Sequence, residues 1–301
     1  MKFMLQLRTI LNFFLNTAFS KAAVFLSKKT QLAYTVMGMI FPYKAILGDR
    51  NMNIEIFGTA ERMKALATLA LDFISGHAVL LPVPSTKDGT HISGTDITLD
   101  ETLGAVGGES VVVGYNLPLW YKEKAEGLGA RILDLSLDEK FMKANAYTTA
   151  VGALLYIMET EKRQPSDLSF AVVGYGRIGS LLSELLLFMG AALRVYTKRE
   201  KVALELCGSG VFASDEIYRG EFLGEGIDIL INTAPCDLSG AFVHKKIPED
   251  LRVLELASGE NFKGVFGVER LPALPDRFFP KSAALAYLGA LKDFVERGDK
   301  A

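Results

Sequence analysis

Ser169-Phe-Ala-Val-Val-Gly174-Tyr-Gly176-Arg177-Ile178-Gly179 is the stretch that decides the fold. An apolar run enters a G-x-G-x-x-G pattern, and residues 180–189 continue with helical spacing, so the segment reads as strand, turn and helix. Each glycine has its own physical job. Gly174 permits the tight turn, and Gly176 removes a side chain where a pyrophosphate must approach the backbone. Gly179 lets helix and strand pack closely, while the helix N-terminus offers free N–H groups and a positive dipole end. We therefore read Gly174, Gly176, Arg177, Ile178 and Gly179 as a dinucleotide-binding loop. Glycines kept only for packing are the competing account.

The following strand, 192–197, chooses the dinucleotide. NAD binders place Asp or Glu at its end to accept from the ribose 2′-hydroxyl. This chain has Thr197-Lys198-Arg199 instead. Two cations and no carboxylate suit a 2′-phosphate, which makes NADP(H) the expected cofactor ahead of NAD(H). Further on, the strand 228–231 runs into Asn232-Thr233-Ala-Pro235. Carboxyl ends of strands line the ligand crevice of open α/β sheets, so Asn232, Thr233 and Pro235 are expected beside the nicotinamide.

Outward from this motif, short β-rich runs alternate with helical stretches from Met52 to the end. Strands are expected at 53–57, 78–83, 110–113 and 131–135, with helices between them and a polar, glycine-bearing loop over 84–94. A long helix spans 138–162, and a last one covers 283–297. This alternation means βαβ units and parallel sheets. The expected fold class is α/β: two parallel-sheet α/β domains joined by a long helix, the C-terminal one a Rossmann NAD(P)-binding domain. We place the substrate domain at 52–144. The Rossmann domain follows at 145–301, including the interdomain and C-terminal helices.

Composition supports a folded body and narrows its partners. The 301 residues carry 33 Lys+Arg against 35 Asp+Glu and are half hydrophobic. The charge is uneven. Residues 1–51 hold seven bases and one acid, Asp49, which leaves 26 bases against 34 acids beyond them, a net of −8. An acidic body gives no reason to expect nucleic acid. Cys207 and Cys236 are too few for a disulfide scaffold, which fits a reducing, cytoplasmic setting. Within the basic leader, Asn12 and Asn16 interrupt the apolar stretch, and the longest uncharged run, 30–43, is short for a membrane span. We read 1–51 as an extension, either upstream sequence from an early start codon or loosely attached helices.

Seven motifs, in order, resemble the first of the two subunits of bacterial dipicolinate synthase, a relative of the D-2-hydroxyacid dehydrogenase-type Rossmann proteins. They are Leu81-Pro-Val-Pro-Ser-Thr-Lys-Asp-Gly, Asn145-Ala-Tyr-Thr-Thr-Ala-Val-Gly152, Val172-Val-Gly-Tyr-Gly-Arg-Ile-Gly, Ile231-Asn-Thr-Ala-Pro, Leu254-Glu-Leu-Ala-Ser, Leu271-Pro-Ala-Leu-Pro and Pro280-Lys-Ser-Ala. The resemblance implies an N-terminal substrate domain and a Rossmann domain. It also implies NADP, a flavoprotein-like second subunit, and dipicolinate formation from a dihydrodipicolinate-like ring during sporulation. Departures fall in the expected cleft. The family's Pro-Gly-Gly becomes Gly259-Glu260-Asn261, its Pro-Gly-Leu-Pro-Gly becomes Pro272-Ala-Leu-Pro-Asp276, and its Thr-Val-Glu-Gly becomes Thr149-Ala-Val-Gly152, with loss of a carboxylate.

A dicarboxylate substrate needs cations or N–H and O–H donors set against its oxygens. Ser85, Thr86 and Lys87 after the second strand, and Lys281 and Ser282 opening the last helix, are the candidates. Each also fits a turn or solvated role. No residue is assigned as acid or base: His77 and His244 read as structural, His91 as a loop residue, Cys236 as a small hydrophobe. No His–carboxylate dyad stands out, and no metal-ligand spacing occurs. Two functions follow: an oligomeric NADP-dependent oxidoreductase subunit, or a nucleotide-binding partner without turnover.

Overall fold

The computed structural model describes residues 44–47, 53–70, 76–220, 222, 224–242 and 247–298. The first domain holds β1 (Lys44–Leu47), β2 (Asn53–Phe57), α1 (Glu61–Leu69), β3 (His77–Leu80), α2 (Leu99–Thr102), β4 (Val111–Gly114), α3 (Leu119–Gly127) and β5 (Arg131–Asp134). Its sheet runs β1-β2-β3-β4-β5. Strands β2 to β5 are parallel, and β1 pairs antiparallel to β2. The domain therefore starts no later than Lys44 rather than at Met52, because the end of the leader supplies an edge strand. The other readings of residues 1–43 and 48–52, and of His244, lie outside the described residues.

Alternation explains the two faces. Ile54 and Ile56, Ala78 and Leu80, and Val111 and Val113 point to one side, while Phe57, Val79, Leu81 and Val112 point to the other. Both sides are covered, so the strands read as continuous apolar runs. On the second side lie Leu99 of α2, Leu117, and Tyr121 and Ala125 of α3.

The long helix α4 (Glu139–Thr160) starts on the Asp138 side chain, which accepts from the Phe141 N–H at 2.7 Å. Phe141 packs in the first core, and Ala150, Ala153, Leu154 and Ile157 pack in the second. A boundary at residue 145 thus falls inside one rigid helix. The second domain follows as β6 (Ser169–Val173), α5 (Arg177–Phe188), β7 (Ala192–Tyr196), α6 (Glu200–Gly208), β8 (Phe212–Ser214), β9 (Ile229–Asn232), β10 (Arg252–Glu255), β11 (Glu269–Arg270) and α7 (Leu274–Phe278). Its parallel sheet is ordered β11-β10-β9-β6-β7-β8. This is the doubly wound Rossmann order, with its switch point between β6 and β9.

The last helix, α8 (Pro280–Gly298), returns to the first domain. Ala284, Tyr287, Leu288 and Leu291 close the core over β2, β3 and β4. This corrects the expectation that the C-terminal helix belongs with the Rossmann domain. Ala284, Tyr287, Leu288 and Leu291 form an i, i+3, i+4 stripe, a pattern that marks a buried face without naming the sheet that buries it. Tyr287 anchors the return: its fully buried hydroxyl accepts from the Leu81 N–H at 3.1 Å and lies 3.0 Å from the carbonyls of Leu81 and Val113. Tyr287→Phe should lower stability by about 1–3 kcal/mol, read from urea unfolding, because the buried strand-end groups lose this partner.

Candidate functional site

The glycine loop sits at the switch point, and its geometry separates the three glycines. Gly174 has φ +89°, and a Cβ there would stand 2.9 Å from both Ala234 Cβ and Thr233 Oγ1. A Cβ on Gly179 would collide with the Gly174 carbonyl oxygen and stand 2.8 Å from Thr233 Oγ1. These two glycines are demanded by the chain's own packing. Gly176 is different: no atom lies within 4 Å of the place a Cβ would take. Its φ of −85° suits any residue. A glycine with open space before it, at the N-terminus of a 12-residue helix, fits the approach of a pyrophosphate.

Around that space lies an open depression of about 520 Å³ lined by Tyr175, Gly176, Arg177, Ser180, Arg199 and Val202. Two of the expected cations meet there. Arg177 pairs with Glu139 at the start of α4, and the Arg199 guanidinium donates to the Tyr175 carbonyl. Ile178 instead packs against the second core, leaving its backbone to serve the loop. Thr197 is buried, and its Oγ1 accepts from the Arg199 N–H at 3.2 Å, so it shapes the turn that carries the cations. Lys198 is exposed, with its ammonium 4.9 Å from the Tyr218 ring centre.

The β9 tip is spent on itself. Asn232 is fully buried; its Nδ2 donates to Glu255 Oε1 and to the Ala234 carbonyl, both at 3.0 Å, and its Oδ1 accepts from the Ala234 N–H. Thr233 donates to the Val173 carbonyl at 2.9 Å. These two side chains, expected beside the nicotinamide, lock the tip against β6 and β10. Pro235 is exposed at the edge. Burial pushes the Glu255 carboxyl above its ordinary range, against hydrogen bonds from Asn232, Asn261 and the Ala257 N–H.

In the first domain the expected donors are also committed. Ser85 is fully buried, donating to the Pro82 carbonyl at 3.0 Å and accepting from the Tyr115 N–H at 2.7 Å. Thr86 donates to Asp88 and accepts from the Gly89 N–H, as turn residues do. Lys87, Lys281 and Ser282 are exposed. A His–carboxylate pair does exist: His91 Nδ1 lies 2.8 Å from Asp88 Oδ2. Backbone N–H groups of His91 and Thr90 hold the Asp88 carboxyl well below the ordinary carboxylate range. The pair joins loop residues three apart, a spacing that carries no periodic signal. Among the described residues, no three His, Cys, Asp or Glu side chains could hold a metal ion, and no helix is long and apolar enough to cross a membrane.

Sequence reasoning missed the charged cluster between the domains. Arg62 of α1 is 2% exposed; its Nε lies 2.6 Å from Asp276 Oδ1, and its Nη2 donates to Asn145 Oδ1 at 3.0 Å. Burial raises the Asp276 carboxyl against the opposing pull of Arg62. Tyr115 follows β4 directly, on a loop whose Asn116 and Leu117 N–H groups donate to the Asp134 carboxylate. Two signals were available: a charge beside Met63 on a helix face that should be apolar, and an aspartate where the resembling family has glycine.

No family model matches the sequence, and no curated protein sequence matches it. Among solved structures, the chain is similar to the first subunit of dipicolinate synthase from Bacillus halodurans, at 19% identity and TM-score 0.60, over 74% of this chain and 80% of that one. It is similar to the same component of dipicolinate synthase from Bacillus subtilis at 19% identity and TM-score 0.56, over 75% and 79%. A transhydrogenase from Sinorhizobium meliloti follows at 16% identity and TM-score 0.52, over 74% of each chain. These likenesses establish the two-domain Rossmann-type fold. Within that fold, Gly179→Ala should cost more than about 3 kcal/mol in urea unfolding, whereas Gly176→Ala should change stability by about 0.5 kcal/mol or less.

Proposed function

We propose that the chain is an NADP(H)-dependent oxidoreductase subunit of the dipicolinate synthase type. Hydride passes between nicotinamide C4 and a dihydrodipicolinate-like cyclic dicarboxylate, giving dipicolinate during sporulation in the cytoplasm, within an oligomer that includes a flavoprotein-like second subunit. The observation that carries the reading is the glycine loop. Gly176 faces open space at a helix N-terminus, and Arg177 and Arg199 border the same depression. The fold shared with the first subunit of dipicolinate synthase supports the reaction class. Gly174, Gly176, Arg177 and the backbone of Ile178 hold the pyrophosphate, while Thr197 orients Lys198 and Arg199 toward the 2′-phosphate. The bound oxidised nicotinamide would supply the hydride acceptor.

A second reading, a nucleotide-binding partner without turnover, is favoured by the commitment of Ser85, Thr86, Asn232 and Thr233 to the protein's own turns. The two separate in one assay. Dihydrodipicolinate and NADP+ with the full chain should raise absorbance in the reduced-nicotinamide band; no change, with or without the flavoprotein component, would leave the binding role. Lys198→Ala combined with Arg199→Ala should weaken NADPH by about tenfold to a hundredfold in fluorescence titrations and leave NADH unchanged. Equal loss for both dinucleotides would overturn the 2′-phosphate assignment.

A further inference from the structure

A guanidinium taken out of water costs several kcal/mol unless its charge and its donors are matched. Arg62 is matched incompletely. Asp276 takes Nε and Asn145 takes Nη2, while Nη1 is buried with no hydrogen-bond partner. A link between α1 and α7 does not need Nη1, and apolar residues of similar volume often hold such junctions as well as a buried ion pair does. We propose that Arg62 is the carboxylate receptor of the interdomain cleft, with Asp276 and Asn145 fixing its fork so that Nη1 is left for a ligand oxygen. The inference rests on the proposed function only for the class of ligand, a ring-borne dicarboxylate.

Placement supports the assignment. Arg62 lies five residues past the carboxyl end of β2, and Tyr115 directly follows that of β4, the edge where open α/β sheets bind ligands. Asn145 and Phe141 come from the interdomain helix, and Asp276 from the end of the second domain. The Arg62 Cζ stands 5.9 Å from the Phe141 ring, and the Tyr115 ring stands 6.4 Å from that same ring. Glu139, two residues before Phe141, holds Arg177 of the glycine loop. One turn and a half of α4 thus connects the cofactor-side cation to the buried one. The Tyr115 phenol is raised by burial and by Asp134, and lowered by the charges of Arg177 and Arg62. Access to Nη1 requires the two domains to part at this junction, as hinge motions allow in other two-domain proteins that close around ligands.

Asp276 gives the proposal a distinctive sign. Its carboxylate competes with the ligand for the Arg62 charge, so removing that charge should tighten binding. Calorimetric titration of the full chain with pyridine-2,6-dicarboxylate, pyridine-2-carboxylate and pyridine tests this, alongside NADPH binding by fluorescence. The wild type should prefer the dicarboxylate. The double variant Arg62→Met/Asp276→Leu, which removes both charges together, should weaken it by about tenfold to a hundredfold. Asp276→Asn should tighten it severalfold. NADPH affinity should stay within about twofold in both variants, as expected for separate sites.

A double variant that binds the dicarboxylate like wild type overturns the proposal. So does Asp276→Asn with unchanged or weaker binding, the result of a purely structural pair; that single variant decides the matter even if the double variant does not fold. A wild type that binds NADPH but none of the three pyridines overturns the receptor and leaves the cofactor reading intact. Arg62-dependent binding of the dicarboxylate without NADPH binding supports the receptor and overturns the cofactor reading.

Discussion

Helix α5 approaches the carbonyl of Gly174 more closely than any side chain at residue 179 would allow. Much else follows from that contact. It sets the first turn of the helix against the β6–β9 switch point, where Thr233 and Ala234 crowd Gly174 from the other side. With the first and third glycines clamped, the loop cannot fold down over Gly176, and the helix N-terminus stays directed at open space. The depression beneath Arg177 and Arg199 is the consequence. A site of this kind is rigid because the scaffold around it leaves no alternative packing.

The two domains are joined twice, and the second joint matters as much as the first. Helix α4 buries Phe141 in one core and Ile157 in the other, so it serves both as a single strut. The chain then returns through α7 and α8, and the Tyr287 hydroxyl seals the strand ends of the first sheet. Gly152 allows the close pass of α7 beneath the strut, where a Cβ would come within 3.1 Å of Leu274 Cβ. Arg62, Asp276 and Asn145 sit where these elements converge. The junction is thus polar at its centre and apolar around it, an arrangement that tolerates one geometry and penalises others.

Charge tells a similar story. The acidic body keeps few cations at places where an anion could be met, and the structure sorts them. Arg177 and Arg199 converge on one depression, and Lys198 stands over Tyr218, whereas Lys87 and Lys281 face solvent. Ser85 and Thr86 looked like ligand donors because serine and threonine in a glycine-bearing loop commonly are. Their hydroxyls close turns instead, since an unpaired hydroxyl under β3 and β4 would be costly.

How much could be read without coordinates depends on distance along the chain. The strand, glycine loop and helix at 169–188 were legible because the turn, the dipole and the close packing all act over a dozen neighbouring residues. The missing carboxylate at Thr197-Lys198-Arg199 was legible for the same reason, as were the parallel strands of both sheets from their alternation with helices. The Arg62–Asp276 pair spans 214 residues, and no periodicity links its halves. Residues 44–47 carried no strand signal apart from the partner they pair with, and α8 showed an apolar stripe without an address. The sequence alone determined which surfaces must be buried and where the dinucleotide loop lies, because those depend on local geometry. Only the tertiary structure decided which surfaces meet and which charges end between the domains, because burial is non-directional and takes its partners from packing.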